Sequence, residues 1–346
     1  MTDGAPRHGG NLALHVERYG IARDRWLDLS TGINPCAYPL PPMPAAILHA
    51  LPYPDPAFLQ AAAQYYRTGH FLAVPGSQWA IEQLPDCFPA GSVAVPGVGY
   101  REHFHQWQRR GHRVVTYDPA ALQEALPTLS DSDLRAVVVI NPNNPSTVML
   151  TAEVLQEVAQ TLAKRNVYLI VDEAFIDTQP ASSLLARGLP ANAIILRSFG
   201  KFFGLPGVRL GFVMGPEHIL QRLDERLGLW AINAIAQYAA CAAFRDTAWQ
   251  HAMRDRLASW SEEFHRRISS SRLGRDSISS GHGALFATFL LARPDAERWF
   301  EHCARHGILI RLWEIDQRFA YLRFGLTRCD DHAAIERVEH ALAEGG

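Results

Sequence analysis

Lysine is nearly missing from this sequence: of 33 basic residues, only Lys164 and Lys201 are lysines. A guanidinium stays protonated at any physiological pH, so the chain keeps almost no side-chain amine able to lose its proton and form an imine with an aldehyde. No apolar run approaches the ~20 residues needed to span a bilayer, which leaves no membrane partner. The opening Met1-Thr-Asp-Gly-Ala-Pro-Arg-His8 lacks the basic-then-apolar pattern of a secretory signal, so a cytoplasmic protein is expected. No block of like charges runs along the chain, and a formal net charge of −2 gives nucleic acid nothing to hold. The five cysteines, Cys36, Cys87, Cys241, Cys303 and Cys329, are widely spread without a Cys-x-x-Cys pair, which argues against a disulfide frame and for reduced thiols. His103-x-His105 is the nearest approach to a metal pair. Residues two apart on a helix do not share a face, so surface histidines and no metal are expected.

What is present is a soluble globular pattern: 346 residues, 48% of them hydrophobic. Short β-branched runs recur between helical stretches: Ser92-Val-Ala-Val95, Arg113-Val-Val-Thr116, Ala136-Val-Val-Val-Ile140, Val167-Tyr-Leu-Ile-Val171, Ala193-Ile-Ile-Leu196 and Val208-Arg-Leu-Gly-Phe-Val213. Such runs are strands buried on both faces, which predicts an α/β fold with a mostly parallel sheet sandwiched by helices. The stretch after Thr151 reads as a helix, with Val154, Leu155, Val158, Ala159 and Leu162 at helical spacing behind a Thr N-cap. From about residue 216 the pattern becomes helix-rich with antiparallel strands near 285–291, 308–311 and 321–324, as in an α+β module. The expected division is an N-terminal arm over 1–35 contributing to the small domain and the active site, a large domain over 36–240 and a small one over 241–346. Residues 31–56 carry eight prolines and are expected to be irregular and to wrap over something.

Four features fall at strand ends or helix starts of the large domain, where open α/β sheets bind ligands. Pro75-Gly76-Ser77-Gln78 leads into a helix and offers backbone N–H groups and a hydroxyl to a phosphate, although ordinary capping explains it as well. Asn141-Pro-Asn-Asn144-Pro is a rigid turn that presents amides at the end of a strand. Asp172 directly follows Leu-Ile-Val and needs a cationic partner, such as a protonated pyridine nitrogen, unless it caps a helix. Finally, Ser198, Lys201 and Arg209 gather a hydroxyl, an amine and a guanidinium among Gly200, Gly204, Gly207 and Gly211. Together these are parts for an aldehyde cofactor with a phosphate arm and a ring nitrogen, which points to pyridoxal phosphate.

The segment resembles the Ser-x-x-Lys motif of the fold-type I pyridoxal-phosphate enzymes, with an Arg eight residues after the Lys and Asp172 lying 29 residues upstream. The resemblance extends over nearly the whole chain. It implies that Lys201 bonds the cofactor aldehyde, Asp172 pairs with the pyridinium and Asn144 with the ring oxygen. It also implies that Gly76, Ser77, Gln78, Ser198 and Arg209 hold the phosphate while Tyr100 stacks on the ring. Tyr53-Pro-Asp-Pro looks like the segment whose Tyr reaches the neighbouring subunit's phosphate, so a homodimer with shared sites is implied. Arg323 in Tyr-Leu-Arg-Phe-Gly resembles the Arg that clamps a substrate α-carboxylate. Phe175 departs from the pattern, because many aminotransferases of this fold place a Tyr there. The proton affinity of the bound cofactor is expected to be tuned differently.

The cofactor motifs do not choose among transamination, decarboxylation, racemisation and elimination. His8-Gly-Gly-Asn11 and Leu27-Asp-Leu-Ser-Thr-Gly-Ile-Asn34-Pro resemble the L-threonine-O-3-phosphate decarboxylases of cobalamin biosynthesis. The size and the Asn-Pro-Asn-Asn-Pro and Asp-Glu-Ala segments also suit the histidinol-phosphate aminotransferases, the alternative. The decarboxylase resemblance implies a small phosphorylated amino acid as partner, with His8, Asn11, Asn34, Arg311 and Arg323 as its contacts. A cofactor sensor fused to a DNA-binding module is the non-enzymatic reading. The roughly 30 residues ahead of the Pro-rich segment are too few for such a module, which usually has ~50 or more.

Overall fold

The computed structural model describes residues 9–129 and 131–344, so His8 lies outside the described residues. The chain forms two compact units. One comprises the residues through Cys36, Pro145–Thr147 and the chain from Met253 onward; the other comprises Ala37–Asn144 and Val148–Ala252.

Strand β1 (Leu27–Asp28) belongs to the smaller unit. The larger unit holds β2 (Phe71–Val74), β3 (Ser92–Pro96), β4 (Arg113–Tyr117), β5 (Leu134–Ile140), β6 (Tyr168–Asp172), β7 (Ala193–Ser198) and β8 (Gly211–Met214) in one seven-stranded sheet of order β2-β8-β7-β6-β5-β3-β4. From β4 through β7 every neighbouring pair is parallel, and β8 runs antiparallel to both β7 and β2. The central strands are buried throughout, as their continuous apolar runs require. The helix Ala152–Ala163 starts at Thr151, whose hydroxyl accepts from the Val154 N–H, and buries Leu155, Val158, Ala159 and Leu162. Residues 37–55 are irregular apart from one 3-10 turn at Ala45–Leu48, in keeping with their prolines. Among the described residues no helix is long and apolar enough to cross a membrane.

Two features of this sheet differ from the sequence reading. The four-residue strand β2 escapes a search for long β-branched runs. The run Val208–Val213 is not one strand either: Pro206–Val208 is a 3-10 turn, Arg209 is left-handed at φ 54°, and the strand begins at Gly211.

In the smaller unit, β9 (Ser279–Gly283), β10 (Phe286–Ala292), β12 (Arg311–Glu314) and β13 (Phe319–Gly325) form an antiparallel sheet of order β12-β13-β10-β9, while β11 (Ile308–Leu309) pairs in parallel with β1. The expected strand 308–311 is therefore split, its first half going to β1 and its last residue opening β12. Strand β9, with two glycines and three polar residues, carries no apolar pattern by which a sequence could announce it. Side chains alternate across this sheet. Ala287, Phe289, Leu322 and Phe324 fill one face, and Thr288, Arg311 and Arg323 share the other.

The N-terminal segment is docked on β13 by backbone hydrogen bonding: the Gly325 N–H donates to the Leu29 carbonyl at 2.7 Å. A Cβ at Gly325 would lie 2.2 Å from the Thr31 carbonyl oxygen, a backbone atom that cannot rotate away. Gly325→Ala is expected to destabilise the protein by about 1–3 kcal/mol, read as a lower denaturant midpoint. An unchanged midpoint would show that this docking does not constrain the fold.

Candidate active site

The parallel strands of the larger unit end in polar groups. Strand β5 runs into Asn141–Asn144, β6 ends at Asp172 and β7 at Ser198. Antiparallel β8 begins at that same end, so Gly211 pairs with Ser198. The middles of these strands are apolar, and the polar groups gather at their ends and in the loops beyond.

Asp172 is buried. Its Oδ1 accepts from the Ala174 N–H at 3.1 Å, and its Oδ2 lies 2.9 Å from Nε2 of the equally buried His103. Facing a carboxylate, that ring nitrogen is the donor. His103 is thus no surface residue, contrary to the sequence reading. It sits on the helix Glu102–Arg109 with Gln106 and Trp107 on the sheet-facing side, and that helical spacing was the available signal. Lys201 lies in the short helix Phe199–Phe202, its Nζ 5.5 Å from the centre of the Phe175 ring.

Gly76, Ser77, Ser198 and Arg209 converge because two glycines permit it. Gly76 has φ +88°, and a Cβ there would meet Arg209 Nη2 at 2.5 Å; a Cβ on Gly211 would lie 2.4 Å from the Ser77 nitrogen. The left-handed backbone of Arg209 turns its guanidinium back over Gly76, with Nη1 donating to the Pro206 carbonyl at 3.2 Å. Ser198 occupies the N-cap position of the Lys201 helix without using its side chain as a cap. The first N–H groups of the helix Ser77–Gln83 have no partner within that helix. A guanidinium, two hydroxyls and these N–H groups around a cradle that a Cβ would fill suit a phosphate.

Gln78 plays a different part from the one expected. Its Nε2 donates to Glu82 at 2.9 Å and Glu102 at 3.1 Å, and its Oε1 accepts from the Tyr100 hydroxyl at 2.9 Å. The amide therefore holds Tyr100 in place. In the Asn141–Asn144 turn, Asn141 exchanges hydrogen bonds with the Leu150 backbone and Asn143 donates to the Val98 carbonyl at 3.0 Å, so both shape the loop in which Asn144 is buried. Tyr53 stands apart on the surface, 65% exposed, with its ring edge-on to Trp230.

The candidate substrate residues lie in the smaller unit. Arg311 and Arg323 are direct cross-strand partners in the β12–β13 pair. Arg323 donates to the Ser30 carbonyl at 2.6 Å and stacks its guanidinium over the Phe286 ring; Arg311 lies over Trp313. Burial, and then the charge of Arg311, push Arg323 down from the ordinary guanidinium range to about 9. Asn34 is buried, its Oδ1 accepting from the Cys36 N–H at 2.9 Å. Asn11 is exposed at the start of the helix Leu12–Tyr19 and makes no side-chain cap.

Gly211→Ala tests the cradle. Its added methyl would press on the Ser77 nitrogen and on the Arg197 carbonyl oxygen at 2.9 Å, both backbone atoms. The expected result is a folded protein that binds pyridoxal phosphate about tenfold or more weakly, as followed by the visible absorption of the bound aldehyde. Unaltered affinity would remove Ser77 and Arg209 from the phosphate site.

The chain is 40% identical over 336 residues to a threonine-phosphate decarboxylase from Pseudomonas aeruginosa, covering 97% of this chain and 96% of that protein. It is 35% identical to a threonine-phosphate decarboxylase from a Sinorhizobium species, covering 97% of each. A histidinol-phosphate aminotransferase from Sinorhizobium meliloti, solved with pyridoxal-5'-phosphate, superposes with a TM-score of 0.78 at 20% identity, covering 98% of this chain and 95% of that one. Residues 46–334 match the aminotransferase class I and II family. With its mostly parallel sheet and the polar groups gathered at the strand ends, the chain belongs to that family.

Proposed function

We propose that this protein decarboxylates L-threonine O-3-phosphate to (R)-1-amino-2-propanol O-2-phosphate, with pyridoxal phosphate as cofactor, in the synthesis of cobalamin. The observation that carries the substrate class is the register of Arg311 against Arg323. Like charges directly opposite on a sheet repel, and burying one of them costs more. A ligand with two anionic groups a few bonds apart relieves both costs, and threonine phosphate offers a carboxylate and a phosphate.

The cofactor's protonated pyridine ring supplies an electron sink when bound. The chain's own residues do the rest. Asp172, oriented by His103, keeps a proton on the ring nitrogen, and Ser77, Ser198 and Arg209 anchor the phosphate arm. Asn144 would hydrogen-bond the ring oxygen, and Tyr100 would stack on the ring. Lys201 would be the amine that holds the cofactor's aldehyde. Arg323 and Asn34 orient the α-carboxylate so that its bond to Cα is the one that breaks; carbon dioxide leaves with its former bonding pair left behind, and Lys201 returns one proton to Cα. Arg311 takes the substrate phosphate together with Asn11 and His8. Phe175 offers the ring oxygen no hydrogen bond of the kind a tyrosine there would give, so the proton affinity of the bound cofactor would be tuned differently.

We further infer a cytoplasmic homodimer. Its support is an exposed apolar group on the larger unit, in which Leu51 is 60%, Tyr53 65% and Leu229 77% exposed, more than a lone surface would leave wet. Tyr53 would then serve the partner subunit's phosphate site.

Incubation with threonine phosphate and no keto acid is expected to release carbon dioxide. No release, together with amino transfer from histidinol phosphate to 2-oxoglutarate, would overturn the proposal in favour of an aminotransferase.

Arg323→Met separates binding from stability. Because the folded-state value of this base is lowered, the unfolded chain binds its proton more tightly. The charge therefore costs stability at neutral pH, and stability is gained only as pH rises through about 9. The variant is expected to melt no lower than the parent while the KM for threonine phosphate rises about 100-fold. An unchanged KM would remove Arg323 from the substrate site.

A further inference from the structure

Directly behind Asp172 and Ser198 lies a buried group of charges that the proposed chemistry does not use. In the parallel pair β6–β7, Asp172 is level with Leu196, and the Glu173 N–H donates to the Leu196 carbonyl at 2.9 Å. Residues level with one another share a face, and faces alternate along a strand. Asp172, Leu196 and Ser198 therefore belong to one side, and Glu173 and Arg197 to the other.

On that second side Arg197 lies 3.6 Å from Glu173 and 3.2 Å from Asp177, with its guanidinium over the Tyr66 ring at 5.2 Å. All four residues are buried. Glu173 is held in turn by the Ser183 hydroxyl at 2.6 Å and the Leu184 N–H at 2.8 Å. Burial works against the charge on Arg197, yet the Asp177 and Glu173 carboxylates outweigh it and hold the guanidinium protonated.

Such a group is poor value as a source of stability, because desolvating three charges consumes most of what their attraction returns. Its physical use is registry. The remaining residues of β6 and β7 are almost all aliphatic: Leu169, Ile170 and Val171 face Ala193, Ile194 and Ile195. Two aliphatic strands slipped by two residues keep their apolar faces inward and lose little. That slip would separate the residue expected to meet the ring nitrogen from the residues expected to hold the phosphate and the aldehyde. A buried guanidinium with carboxylates at one level only forbids it.

We propose that Arg197, through Glu173 and Asp177, is a positioning residue that fixes the spacing between Asp172 and the Ser198–Lys201 turn. This inference rests on the pyridoxal-phosphate reading of the site.

The test is run on the holoenzyme, and the wild type comes first. A visible cofactor band that Lys201→Ala abolishes upholds the reading itself, and its absence sinks that reading and this inference with it. With the band established, Arg197→Lys and the neutral triple variant Arg197→Met/Glu173→Gln/Asp177→Asn are compared with Leu162→Ala, a cavity variant in a helix of the same unit. Melting temperature, the dissociation constant for pyridoxal phosphate and the pH midpoint of the cofactor band are measured. Leu162→Ala is expected to melt lower with the cofactor constant and midpoint unchanged. Arg197→Lys is expected to weaken cofactor binding about tenfold and to displace the midpoint. The triple variant, free of uncompensated charge, is expected to recover melting temperature but not cofactor affinity. Wild-type affinity and midpoint in both Arg197 variants, whatever their melting temperatures, would overturn the inference.

Discussion

Parallel strands buried on both faces carry charge only where it is paired or at their ends, and much of the larger unit follows from that constraint. β5, β6 and β7 are largely aliphatic along their middles and turn polar near their ends, at Asn141, Asp172 and Arg197–Ser198. Because the strands run the same way, these polar ends fall along one edge of the sheet. The reversal of β8 adds to them, since it brings Gly211 beside Ser198 and lets Arg209 arrive from the opposite direction. The site is thus a consequence of topology before it is one of side-chain choice.

Much of this was legible in the sequence because buried parallel strands announce themselves. The runs ending at Ile140, Val171 and Leu196 locate the strand ends, and a polar residue immediately after such a run has few other reasons to be there. The groups invisible to that reasoning belong to elements with weaker signatures. His103 was read as a surface residue because two histidines two apart on a helix cannot share a metal, which says nothing of a carboxylate partner; the structure sends His103 alone to Asp172. Arg209 was placed inside a strand because Val208, Leu210 and Phe212 alternate. The turn at Pro206–Val208 and the left-handed backbone of Arg209 break that alternation, and no propensity favours a left-handed arginine. Gln78 looked like a phosphate ligand from its place at a helix start. Its partners Tyr100 and Glu102 come from elsewhere in the chain, and only tertiary structure brings them to it.

The smaller unit was harder to read for a different reason. Its antiparallel sheet has one face filled by Phe289, Leu322 and Phe324 and another that carries Arg311 and Arg323, so each strand is half apolar. The run Ile308–Arg311 looks like one strand but serves two, because a residue pair on β11 closes against β1 before the chain steps over to β13. The partner in each case lies far away in sequence, and local pattern carries no information about it. What sequence did carry was the pair of arginines, whose chemistry is legible even where their strands are not.

The scarcity of lysine gains a physical reason from these sites. Anions can be held by either basic residue, but an amine beside an aldehyde can capture it, and a guanidinium cannot. Arg209 beside the phosphate cradle, and Arg311 and Arg323 on the smaller unit, supply positive charge without offering a competing nucleophile. The planar fork also matches carboxylate and phosphate oxygens two at a time, which fixes orientation as well as charge. The cost falls on burial. Burial and the neighbouring Arg311 push Arg323 down to about 9, so its charge at neutral pH is held against a desolvation cost. Of the two lysines, Lys164 stands exposed at the C-terminal end of the helix Ala152–Ala163, which leaves Lys201 as the candidate for the proposed chemistry.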